Sequence, residues 1–190
     1  MMIRTTGLTV LLLSLAGPAL AHSGHGDSGF LHPFTGIDHV LAAVAVGVWA
    51  FFLANRKAAL AVVVPTAFLI MMAVGAVAGF AGIKLPFVEA AILASIFVIG
   101  GLIVAGVRLS AALAMAVVGA FAVFHGYAHA VEAPSSAPVP YILGLVGATA
   151  ILESAGLLLG WLLARGIGEA GLRALGGVIV AGGALFLIAT

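Results

Sequence analysis

Six side chains able to hold a transition metal fall into two short stretches of the chain. The first, His32-Pro33-Phe34-Thr35-Gly36-Ile37-Asp38-His39, joins a turn signalled by Pro and Gly to an acid and an imidazole at the start of an apolar run. Asp38 is placed to begin a helix, where its charge is favoured by the positive end of the helix dipole. The second stretch, Phe124-His125-Gly126-Tyr127-Ala128-His129-Ala130-Val131-Glu132, sets two imidazoles four residues apart. On a helix these lie about 40° apart on one face, and Glu132 returns to nearly the same direction. Such a pair with a nearby carboxylate supplies several ligands to one metal from a single helix. The chain has no Cys, so nitrogen and oxygen must do the binding. Each residue also has an ordinary use. Asp38 can cap a helix, His39 and Glu132 can mark the membrane interface, and His125 and His129 can hydrogen-bond between helices.

Other polar residues extend this set. His22 and His25 lie on a stretch with Gly and Ser that either collects metal outside the membrane or is a solvated tail. Glu89 sits near the start of the third apolar run and Glu153 about halfway along the fifth. A carboxyl at the depth of Glu153 is expected to be neutral or paired, serving an ion or proton path or an interhelical hydrogen bond.

Lipid is the solvent that must position these groups, because 64% of the 190 residues are hydrophobic and 7% charged. At about 20 apolar residues per span, the chain divides into six helices near 37–54, 58–81, 86–107, 110–131, 140–164 and 169–189. Residues 1–21 have the layout of a cleaved signal peptide: Arg4, an apolar run from Leu8 to Leu15, a break at Gly17-Pro18, then Ala19-Leu20-Ala21. Arg56, Lys57, Arg108 and Arg165 fall in alternate breaks and Arg173 near the start of the sixth span on the same side, whereas the opposite breaks hold only Lys84. By the positive-inside rule both mature termini lie outside, which agrees with the exported N-terminus. The expected architecture is therefore an all-α, multi-pass bundle of a bacterial inner membrane: signal peptide 1–21, periplasmic tail and turn 22–36, and six-helix domain 37–190. Pro65 is expected to kink the second helix or break its ladder. The abundant small residues, Gly75 and Gly79 among them, serve close packing. A net charge of +1, with Lys and Arg scattered, carries no nucleic-acid signal, and no nucleic-acid partner is expected. This threading brings both histidine stretches to the same outer surface.

His32-Pro33-x-x-Gly36-x-Asp38-His39 opening one helix, followed by Phe124-His125-Gly126-x-Ala128-His129-x-x-Glu132 on another, resembles the HupE/UreJ family. The resemblance covers nearly the whole chain. It implies uptake of nickel, or sometimes cobalt, serving hydrogenase or urease maturation proteins, with His32, Asp38, His39, His125, His129 and Glu132 as the functional positions. Nickel or cobalt is then substrate, not cofactor, and zinc is a third ion that these ligands accept. Ala130 departs from the family pattern, where Gly is expected. No nucleotide-binding loop is present, so movement is channel-like or coupled to a gradient or partner. Two other readings use the same residues: a metal-dependent membrane hydrolase, and a metal-sensing or storage protein without transport. The transporter is preferred, and no enzymatic activity is expected, because no general base or substrate groove is recognisable.

Overall fold

The structure, a computed structural model, describes residues 29–133 and 137–189. The expected signal peptide and the expected metal ligands His22 and His25 lie outside these residues. Among the described residues every regular element is helical. A 3₁₀ turn, His32–Phe34, leads into α1 (Ile37–Ala54), α2 (Leu60–Phe80), α3 (Val88–Ala105), α4 (Ala111–Glu132) and α5 (Pro138–Ala189).

All five helices are long and apolar enough to cross a bilayer. The first begins where expected, but its N-cap is Gly36, in extended backbone (φ −95°, ψ 114°), with Asp38 in the first turn. Helix α2 runs through Pro65 without interruption. A proline so near the helix start releases only the Ala61 carbonyl, and neighbouring helices tolerate that in a bundle.

Helix α5 departs most from expectation. Its 52 residues would extend about 78 Å if straight, more than twice a hydrocarbon core of about 30 Å. It is broken at Gly168, whose φ of 69° and ψ of −157° belong to a region essentially reserved for glycine. The fifth and sixth expected helices are thus present, but no loop separates them; one residue does. The second arm runs back along α3, with Gly176 beside Gly100 and Gly183 beside Ile96.

Two helix pairs dominate the packing, α2 with α4 and α1 with the first arm of α5. In both, glycine lets backbone touch backbone. A Cβ on Gly75 would strike the Val123 carbonyl, one on Gly126 the Met72 carbonyl, one on Gly47 the Glu153 carbonyl and one on Gly156 the Val44 carbonyl. Ala130 finds its space in the same way, because its methyl faces Gly79; the glycine missing from one helix is supplied by the other. Trp49, Phe52, Phe68, Ile96, Ile99 and Leu145 fill the interior. Val62, Ile70, Val74 and Val77 lie exposed along α2, as do Leu185 and Ile188 at the end of α5. An apolar exterior around self-satisfied helices is stable in lipid and not in water.

Candidate metal centre

The bundle has two chemically distinct ends. At one, Arg108 pairs with Glu169 at 2.9 Å, its guanidinium lies 4.5 Å above the Phe52 ring, and Arg173 Nε donates to the Val104 carbonyl at 2.7 Å. The Trp49 indole donates to the Val107 carbonyl at 3.3 Å, fixing the end of α1 beside the α3–α4 connection. The histidines occupy the other end.

There, both sequence stretches meet. The His39 ring centroid lies 4.2 Å from that of His129 and 5.0 Å from that of His125, and the His32 ring is 4.9 Å from His129. His32 Nε2 and Glu132 Oε2 are 3.0 Å apart, tying the entry turn to the end of α4. The turn is also held on α5, where Gly29 abuts the Tyr141 backbone and Gly144 abuts Phe30. His125 and His129 are buried by the packing of α4, whereas His32 and Glu132 stay partly open.

Asp38 performs two tasks with one oxygen. Its Oδ1 accepts from the His39 backbone N–H at 2.9 Å, satisfying one of the orphan donors at the start of α1. The same Oδ1 lies 2.9 Å from His39 Nδ1. A carboxylate on one ring nitrogen sets the tautomer and leaves the other nitrogen to a metal. His39 Nε2 is that other nitrogen, buried and without a hydrogen-bond partner. Gly36 belongs to this arrangement, because a Cβ there would come within 2.9 Å of Asp38 Oδ1 and 3.0 Å of His39 Nδ1.

His39, His125 and His129 line a small cavity together with Phe68, Met72 and Thr149. Its volume of about 10 Å³ is on the order of one water-sized sphere, room enough for a single ion. No three His, Asp or Glu among the described residues already stand around one point. The imidazoles instead lean edge to face, His39 against His125 at 89°. The cluster is assembled, and the rings must turn to share an ion.

The two further acids of the sequence lie apart from this group. Glu89 is exposed in the first turn of α3 and does not line the cavity. Glu153 is 1% exposed, neither carboxyl oxygen has a hydrogen-bond partner, and it follows Thr149 by one turn of α5. Residues that carry no metal-ligand signal complete the site: Met72, whose sulfur accepts from the Thr149 hydroxyl at 3.6 Å, Tyr141 beside His32, and Ser95, 3.1 Å from His125 Nε2.

Lipid-facing helices enclosing a buried imidazole and carboxylate cluster define a multi-pass membrane protein with a polar site near one end of its bundle. The HupE / UreJ protein family matches residues 10–186, and the chain belongs to that family. It is similar to Protein HupE of Rhizobium leguminosarum bv. viciae, with 39% identity over 188 residues that cover 95% of this chain and 97% of that protein. No solved structure matches the chain.

Proposed function

We propose that this protein is an inner-membrane permease that takes up nickel, or cobalt, from the periplasm for hydrogenase or urease maturation. One observation carries the reading: imidazoles from two distant stretches converge around a cavity of single-ion size, at the end of the bundle opposite the arginines. Imidazole suits nickel and cobalt, and Asp38 and Glu132 offset the ion's charge. In this reading the Arg end is cytoplasmic, the chain crosses six times with the reversal at Gly168, and both mature termini are periplasmic. His22 and His25 collect the ion, the entry turn passes it to His39, His125 and His129, and Glu153 is the next station inward. The membrane potential supplies roughly 2.3 kcal/mol per charge per 100 mV, about twice that for a divalent cation, so inward movement needs no nucleotide.

Purified protein in proteoliposomes tests this directly. Selective influx of nickel or cobalt over zinc, abolished by His125→Ala in correctly inserted protein, is the expected result. Absence of selective flux from the wild type would refute the permease.

A further inference from the structure

Ser95 lies in neither histidine stretch, yet it reaches the cluster from α3 through a hydrogen bond. It is fully buried. Its hydroxyl donates to the Ile92 carbonyl at 2.6 Å, and its Oγ is 3.1 Å from His125 Nε2. A hydroxyl has one proton and a carbonyl oxygen has none to give. The Ser95 proton is therefore committed to Ile92, and Oγ can meet His125 only as an acceptor. For that contact to be a hydrogen bond, His125 Nε2 must carry a proton. A neutral imidazole protonated at Nε2 has its lone pair at Nδ1.

We propose that Ser95 is a positioning residue for the metal site, holding the His125 ring so that Nδ1 is the nitrogen offered to the ion. The inference rests on reading the histidine cluster as a metal site and adds to it the orientation of one ligand. It also pairs two neighbouring rings that are set oppositely. Asp38 occupies Nδ1 of His39 and leaves Nε2, whereas Ser95 occupies Nε2 of His125 and leaves Nδ1. The choice of partner matters as well: a carboxylate adds negative charge beside the less buried His39 ring, whereas a hydroxyl orients the more deeply buried His125 ring and adds none. The i−3 hydrogen bond to Ile92 makes Ser95 a fixed acceptor, since it cannot rotate to become a donor without abandoning the carbonyl.

The test uses full-length mature protein labelled with ¹⁵N-histidine, with long-range ¹H–¹⁵N spectra recorded without metal and His125 assigned by His125→Gln. The expected ring is protonated at Nε2. In Ser95→Ala the signal should become a mixture of tautomers, and nickel affinity by titration should fall about 10–100-fold, as for other partners that orient a ligand. Ser95→Thr, which restores the hydroxyl, should recover both. A wild-type His125 protonated at Nδ1 would overturn the assignment, as would Ser95→Ala binding nickel as the wild type does. If Ser95→Ala fails to fold, the wild-type and Ser95→Thr spectra decide. Wild-type protein that shows the Nε2-protonated ring but binds no nickel would instead refute the metal reading and leave the ring assignment standing.

Discussion

The histidine end and the arginine end of this bundle are built on the same apolar helices, but they hold opposite kinds of polar group. Arg108 and Arg173 are permanent cations that offer donors and no lone pair; they spend those donors on Glu169 and the Val104 carbonyl. The other end gathers imidazoles, which can be neutral and offer lone pairs, with carboxylates beside them. Lone pairs suited to a metal ion gather at one end, whereas the other is dominated by guanidinium groups, with Glu169 paired to Arg108. The contrast suits the proposed permease: in that reading guanidinium groups set which way the helices thread, and imidazoles select what enters between them.

Substitutions can break this contrast at different levels. Gly126→Val should have the largest effect, because its side chain would be driven into the Met72 backbone and separate α2 from α4, leaving no site to load. Overpacking of this kind typically costs about 1–3 kcal/mol, and more where backbone must move; loss of monodisperse protein in detergent would show it. Next, His39→Ala removes a ligand from the proposed site while Asp38→Asn removes only its orienting partner. Nickel affinity should fall by roughly 10–100-fold for Asp38→Asn and further for His39→Ala, and equal affinities in the two variants would contradict the division of labour between them. Glu153→Leu separates stability from transport. Replacing a buried carboxyl without partners by an apolar side chain should leave thermal stability unchanged or raise it, while nickel flux through proteoliposomes falls. Undiminished flux would remove Glu153 from the path. The smallest effect belongs to the arginine end: Glu169→Gln breaks a half-exposed ion pair worth less than about 1 kcal/mol, and nickel affinity should be unaffected.

Much of this arrangement is legible in the sequence, for identifiable reasons. Gly36 and Asp38 mark the start of α1, and the limits of α2, α3 and α4 lie within two residues of those expected, because charged or glycine-containing breaks punctuate the apolar runs. That His32 and His39 share one end of the bundle with His125 and His129 is legible from the alternation of apolar runs; the contact of their rings is not. Ser95 was not legible: a serine amid apolar residues carries no spacing signal, and its role emerges only when α3 is packed against α4. Met72 and Thr149 are hidden similarly, since a thioether and a hydroxyl at helical positions look like ordinary core. The break expected between residues 164 and 169 shrinks to one residue: Arg165-Gly166-Ile167-Gly168-Glu169 is polar and glycine-rich, yet helical geometry continues through all of it but Gly168. The contrast between Glu89 near a helix start and Glu153 midway along one is legible in the sequence, and burial bears it out: Glu89 is exposed and Glu153 is buried.

The backbone-to-backbone glycine contacts have a further mechanical meaning. They weld α2 to α4 and α1 to the first arm of α5, and the proposed ligands are divided between these welds: Asp38 and His39 ride on one, His125, His129 and Glu132 on the other. The cluster therefore sits on the seam where two stiff blades meet. Any scissoring of one blade against the other is felt there first, widening or pinching the gap between imidazoles while each blade keeps its own shape.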